Sequence, residues 1–280
     1  MKPVRILTIA GSDSGGGAGI QADLKTITVL GGFGMSVITA LTAQNTRGVH
    51  GIHDVPPEFI AAQFDAVAGD IGVDAAKTGM LASSEVIRTV TGKIRRYGIA
   101  KLVVDPVMVA KGGASLIREE AKETLIAELI PLAFVLTPNI PEAEVLSGIG
   151  IASLDDMREA ARIIRGLGAR HVVVKGGHLS GDAVDLLYDG TEFREFASPR
   201  IATADTHGTG CTYSAAIATA LGFGKDVPTA VADAKRYITA AVRHAWRVGK
   251  GHGPTNHLAP LFEAGGGMTA VRPAGWEAAG

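Results

Sequence analysis

The sequence predicts an α/β fold in which a mostly parallel central sheet is covered by helices on both faces. Three observations carry this expectation. Short apolar runs rich in β-branched residues alternate with longer amphipathic segments. The runs are apolar throughout, as strands buried on both faces are, and glycine-rich loops follow several of them.

Residues 5–10 read as the first strand and lead through a glycine loop into a helix over residues 20–30. Residues 35–39 and 75–78 read as the next strands, with helices over 57–67 and 84–97. Strand 101–104 precedes a helix over 118–130, and strands 134–136 and 171–174 enclose a helix over 154–167. Ser153 and Asp156 have the spacing of a capping box at the start of that helix, and Gly168 follows its last turn. Asp189-Gly190, flanked by apolar runs at 183–188 and 191–196, predicts a two-residue hairpin. From Thr212 to Leu221 the chain is helical in character. Val227, Ala230, Val231, Ala234, Tyr237, Ile238 and Ala241 then keep the spacing of a long final helix. Residues 249–253 and the Gly/Ala-rich stretch from about Ala264 read as a loosely ordered tail. With no internal repeat or linker, one domain over residues 1–262 and a tail over 263–280 are expected.

Composition narrows the function. In 280 residues, 46% hydrophobic content is ample for one large core. A net charge of −1, without long runs of like charge, lacks the footprint of a nucleic-acid partner. No apolar run reaches the length of a bilayer span, so no membrane partner is expected. A single cysteine excludes an intrachain disulfide, and the N-terminus lacks the pattern of a signal peptide, so a cytoplasmic location is expected.

The richest motif is Asp205-Thr206-His207-Gly208-Thr209-Gly210-Cys211-Thr212, which places the only cysteine behind two glycines where a helix begins. Amides without helical partners and the helix dipole suit an anion such as phosphate there. A glycine-cysteine turn alone fits simple packing better than a ligand site. The polar residues Asp205 to His207 and a second glycine loop over residues 11–19 turn the balance towards a ligand. That second loop follows the first strand, where open α/β sheets bind ligands. It holds no G-x-G-x-x-G fingerprint, and no Gly-Lys pair is followed by the Ser or Thr of a Walker loop.

Asp105 and Asn139 each follow a buried strand, and their oxygens can hold Mg²⁺ beside phosphate, although each alone also fits a cap on the next element. Lys175, also at a strand end, can meet a nucleotide phosphate as a point charge. The eight histidines form no H-x-x-x-H pair, so no zinc site is expected. His207 fits either hydrogen bonding within its loop or proton transfer.

Taken in order, the glycine loop, Asp-Pro-Val-Met from Asp105, Asn139-x-x-Glu142, Lys175-Gly-Gly and Asp205 to Cys211 resemble the ribokinase superfamily. Within it the resemblance is to the hydroxymethylpyrimidine/phosphomethylpyrimidine kinases, from about Ile6 to His257, with Ala18 to Lys25 and Ile38 to Thr46 the most specific stretches. Sugar kinases of the superfamily usually carry aspartate where this chain has Cys211.

This resemblance implies a ribokinase-like three-layer α/β/α sandwich, ATP and Mg²⁺ as cofactors, and a homodimer. It implies ATP-dependent phosphorylation of 4-amino-5-hydroxymethyl-2-methylpyrimidine and then of its monophosphate, in thiamine biosynthesis. Asp23, Gln44, Met80 and Val107, with backbone from Gly11 and Ala18, would enclose the aminopyrimidine. The Gln44 carboxamide offers a donor and an acceptor side by side, as a 4-aminopyrimidine requires. Gly208, Thr209 and Gly210 would bind the migrating phosphoryl group, Asn139, Lys175 and Thr206 the ATP phosphates, and Asp105 with Glu142 the metal. Cys211 would take the proton of the alcohol; a helix N-terminus lowers a thiol's pKa, while the sequence alone leaves the protonation state of this one open. A pyridoxal-type kinase is the alternative in the same class. A non-catalytic nucleotide sensor and a Rossmann oxidoreductase fit the residues less well.

Overall fold

The first strand, β1 (Arg5–Asp13), stands where the direction of sheet growth reverses. In the computed structural model, which describes residues 3–108, 116–177 and 181–264, β1 pairs in parallel with β2 (Phe33–Asn45) on one side and β4 (Ala75–Thr78) on the other. The chain builds β2 and the antiparallel edge strand β3 (Gly48–Asp54) first. It then crosses back to add β4, β5 (Leu102–Val104), β6 (Val135–Leu136) and β7 (His171–Lys175), all parallel. An antiparallel pair, β8 (Ala183–Tyr188) and β9 (Phe193–Ser198), closes the sheet in the order β3-β2-β1-β4-β5-β6-β7-β8-β9.

Two apolar clusters, one on each face, make the sandwich three-layered, as expected of the ribokinase-like fold. On one face Leu7, Ile9 and Val104 meet α2 (Pro57–Asp70), α3 (Ser84–Arg96), α5 (Ile140–Ser147) and α6 (Leu154–Gly166) through Phe64, Ile87, Leu146 and Met157. On the other, Ile6, Ala75 and Val103 meet α1 (Gly19–Val29), α7 (Thr209–Gly222) and α8 (Val227–Arg243) through Ile27, Ile217 and Val231. Alternate strand residues supply the two faces, and burial of their side chains provides the main driving force of the fold. The Ser153–Asp156 capping box forms as the spacing predicts.

Several boundaries differ from the expectations. The second strand runs to Asn45 and turns back as β3, whose largely exposed residues lack the apolar run that marks a buried strand. The helix expected over 118–130 is α4 (Glu119–Thr124), then a π turn over Leu125–Leu129 and a 3₁₀ turn over Ile130–Leu132, where Pro131 cannot continue the i to i−4 ladder. The hairpin turn is longer than two residues, since Tyr188 pairs with Phe193 and Asp189 Oδ1 caps the amides of Thr191 and Glu192.

Residues 249–253 are not a loose tail. Gly251 N and His252 N donate to Thr46, at Oγ1 and O respectively, and Gly253 N donates to Asp205 Oδ1. The ordered chain also continues past 262, because Glu263 closes α9 (Ala259–Glu263) and accepts from Arg243 and His244. The rest of the expected tail, 265–280, lies outside the described residues. Among the described residues no helix is long and apolar enough to cross a membrane.

Candidate active site

At the carboxyl edge of the parallel strands, beside the β1/β4 switch point, lies a cavity of about 760 Å³. Its wall includes Gly11, Ala18, Gln44, Met80, Val107, Asp105, Asn139, Glu142, Lys175 and the run from Thr206 to Cys211. Fourteen of the fifteen residues to which the resemblance assigns a binding or catalytic role therefore line one space. The exception is Asp23.

Helix α7 starts three residues earlier than its sequence suggests, at Thr209, so the two glycines belong to the helix terminus itself. Gly208 is its N-cap with φ 79°, and a side chain there would run into the Gly17 carbonyl oxygen. Only glycine meets both demands. Gly210 and Cys211 fall in the first turn, where amides have no acceptor within the helix. A side chain on Gly210 would begin 3.5 Å from Asp105 Oδ2 and 3.6 Å from Lys175 Nζ, which shows how closely the helix end faces those charges.

Lys175 donates to Asp105 Oδ1 at 2.8 Å. Asn139 caps α5, accepting from Glu142 N at 2.9 Å, while Glu142 Oε2 accepts from Asn139 N at 2.8 Å. Thus Asn139 does serve as a cap while also lining the cavity. Burial pushes the Glu142 carboxyl up to about 7; Lys175 opposes the rise and the Asp105 charge adds to it. Two nearly buried carboxylates with one lysine between them form a hard, oxygen-rich site short of positive charge. Mg²⁺ fits such a donor set, since it needs only one or two protein carboxylates and takes its other ligands from phosphate and water. Among the described residues no cluster of three or more His, Cys, Asp or Glu side chains offers a complete protein cage.

At the other end, Asp13 gathers the glycine loop by accepting from the amides of Gly15, Gly17 and Ala18 at 2.8, 3.1 and 2.8 Å. His207 Nε2 donates to Asp13 Oδ2, which fixes the proton on that nitrogen because a carboxylate only accepts. Burial opposes ionisation of Asp13, but the His207 bond and the Ala18 and Gly15 amides hold its carboxyl below the usual range. His207 therefore reaches across to the first loop. Gln44 stands beside this pair, with its Nε2 3.5 Å from His207 Nε2 and its Oε1 accepting from Thr42 Oγ1.

Two expectations need correction. Asp23 has no exposed surface and does not line the cavity; its carboxylate accepts from Lys77 Nζ at 3.0 and 2.9 Å and from Thr8 Oγ1 at 2.6 Å. It lies behind the wall, one helical turn beyond Gly19, and cannot touch a ligand. The second concerns Cys211, whose thiol is raised to about 11 rather than lowered. Burial is the largest cause; Lys77 opposes it, while Asp23 and Asp105 add to it. The helix terminus does not offset this desolvation, so the resting thiol is protonated at neutral pH.

Sequence reasoning passed over Lys77, Asp13, and the Asp185–Lys235 pair, which is joined at 2.8 Å and also lines the cavity. The available signal for Lys77 is a lysine in the middle of the short strand Ala75-Ala76-Lys77-Thr78, every residue of which is buried. Asp185 accepts from Gly176 N at 3.1 Å, so this pair braces the loop that follows Lys175.

An anion-binding helix end, a lysine and two carboxylates at the carboxyl edge of a parallel sheet define the class as a ribokinase-like α/β kinase fold. The chain belongs to the phosphomethylpyrimidine kinase family, whose pattern matches residues 13–256. The hydroxymethylpyrimidine/phosphomethylpyrimidine kinase of Bacillus subtilis is 51% identical over 92% of this chain and 96% of that protein. The thiamine biosynthesis bifunctional protein ThiED of Geobacter sulfurreducens is 61% identical over 90% of this chain, which spans only 52% of that protein. Among solved structures, the ADP complex of Bacillus subtilis pyridoxal kinase aligns with TM-score 0.86 and 42% identity, covering 91% of this chain and 98% of that one.

Proposed function

We propose that this chain transfers phosphate from ATP to the hydroxymethyl group of 4-amino-5-hydroxymethyl-2-methylpyrimidine and then phosphorylates the resulting monophosphate. The observation that carries this reading is a single cavity holding Gln44 at one end, Lys175 at the other, and Cys211 on the first turn of α7. Gly11, Ala18, Met80 and Val107 enclose the ring, and the Gln44 carboxamide reads the amino group and neighbouring ring nitrogen. The Gly208, Thr209 and Gly210 backbone receives the migrating group, with Lys175, Asn139 and Thr206 at the nucleotide phosphates.

Phosphoryl transfer depends mainly on positioning and on offsetting charge, which these groups supply. Asp105 and Glu142 would hold Mg²⁺, which when bound supplies positive charge to the phosphate oxygens. Cys211 receives the alcohol proton. Because the resting thiol is neutral, this role requires it to ionise as the site is assembled. The monophosphate loses its last proton near a pKa of about 6, so the second step needs little help from a base.

Relatives of the same family with kinase names, and the ADP complex of a similar kinase, support the ATP assignment. The resemblance supports a homodimer in the cytoplasm, with the kinase body extending through α9 to Glu263. A pyridoxal kinase is the second reading, favoured by the 42% identity to one such enzyme. A product assay with ATP and the pyrimidine alcohol, its monophosphate or pyridoxal tests both. The proposal expects pyrimidine diphosphate as the dominant product. Faster turnover of pyridoxal would transfer the assignment to the second reading.

A further inference from the structure

Lys175 ends β7 directly opposite Asp185 on β8, the two being partners in the antiparallel register. Residues paired in this way point to the same side of the sheet, with their Cβ atoms about 5 Å apart. Val173 and Leu187, each two residues away, pack in the cluster beneath α7 and α8, so both charged side chains leave the sheet on that side. A lysine and an aspartate placed so, in surroundings largely free of water, attract each other strongly.

That ion pair does not form. Lys175 Nζ donates to Asp105 Oδ1 at 2.8 Å, reaching the other way across the sheet towards the end of β5. Asp185 is occupied by Lys235 of α8, whose Nζ donates to Oδ2 at 2.8 Å, while Oδ1 accepts from Gly176 N at 3.1 Å. Both oxygens of the carboxylate are thus engaged. Lys235 and Asp185 are only 7% and 4% exposed. A buried ion pair is weak evidence of stabilisation, because desolvation offsets most of the attraction, so the place of this one beside Lys175 asks for another reason.

We propose that Lys235 is a positioning residue for the phosphate end of the cavity. By saturating Asp185, it prevents that carboxylate from capturing Lys175 across the strand pair. The Lys175 ammonium is left turned towards Asp105 and the first turn of α7, 3.6 Å from where a side chain on Gly210 would begin. The proposal deepens the reading in which Lys175 meets the nucleotide phosphates, and rests on it for its effect on the reaction.

The test compares the full chain with Lys235→Met and with the double variant Lys235→Met/Asp185→Asn. Lys235→Gln, which keeps a donor for Asp185 but no charge, is a milder single variant, and the comparison uses whichever single variant circular dichroism shows to be folded. In the single variant, turnover of the pyrimidine alcohol and ATP affinity should each fall about tenfold, a part of what losing the lysine itself would cost. Pyrimidine affinity, measured by calorimetry, should hold. The double variant should recover both to within about twofold, because asparagine still accepts from Gly176 N but has no charge to draw Lys175. A crystal structure of the single variant should show Lys175 Nζ bonded to Asp185. A folded double variant as impaired as the single one is what simple bracing of α8 would give, and it overturns the proposal, as does a crystal structure with Lys175 still on Asp105. If the crystal shows capture while turnover and ATP affinity hold, the Lys235 relationship stands and the phosphate role of Lys175 falls.

Discussion

His207 Nε2 lies 2.8 Å from Asp13 Oδ2, a contact between residues 194 positions apart in the chain that ties the two glycine loops together. Because Asp13 also collects three amides of the first loop, it sets the shape of the ring pocket and its distance from the helix that receives phosphate. Asp13→Ala should cost about 2–3 kcal/mol of stability, as expected for loss of hydrogen bonds to a buried charge. It should also weaken pyrimidine binding more than ATP binding. Thermal melts and calorimetry with each ligand check both parts.

Lys175 lies beside the first turn of α7, with its Nζ 3.6 Å from where a side chain on Gly210 would begin and its ammonium bonded to Asp105. Lys175→Met should reduce kcat by about 10²–10³, the usual effect of losing one group that offsets charge in a transition state. Pyrimidine affinity should stay near that of the parent, so steady-state rates and pyrimidine titrations together separate a phosphate role from general damage.

Gly208 combines a left-handed backbone with a close approach to the Gly17 carbonyl. Gly208→Ala should lose about 3 kcal/mol or more, through strain and displacement of the first loop. Gly92, inside α3 with open space where a side chain would go, provides the contrast. Gly92→Ala should stabilise by about 1 kcal/mol, the helix-propensity difference. Chemical denaturation measures both.

Burial lowers His257 to about 4, and its ring makes a 3.1 Å hydrogen bond with Thr212 on α7. The unfolded chain binds this proton near pH 6.5 while the folded chain refuses it until about 4, so stability is full above 6.5 and falls as pH drops towards 4. The loss should approach about 3 kcal/mol across that window. His257→Gln should flatten the corresponding part of the stability profile, as measured by denaturation at each pH.

Much of this architecture was legible because parallel strands buried on both faces are apolar runs, and the loops after them carry the polar residues. Asp105, Asn139 and Lys175 could be read as strand-end groups for that reason alone. Strand β3 escaped because an exposed edge strand has no apolar signature, and residues 249–253 because their order comes from Thr46 and Asp205, far away in sequence. The charge state of Cys211 is not legible in the sequence, because a helix terminus is visible there whereas burial and the charges of Asp23 and Asp105 are not. Asp23 was placed in the pocket by resemblance, but its partner Lys77 keeps it inside the layer.

The central claim is that Cys211 handles the alcohol proton at the end of α7. Its most direct test is the rate of Cys211→Ala on each acceptor, the alcohol and the monophosphate, under saturating ATP. The account predicts a far larger loss for the alcohol, because the phosphate acceptor is already ionised at neutral pH. Equal losses on both acceptors would contradict it.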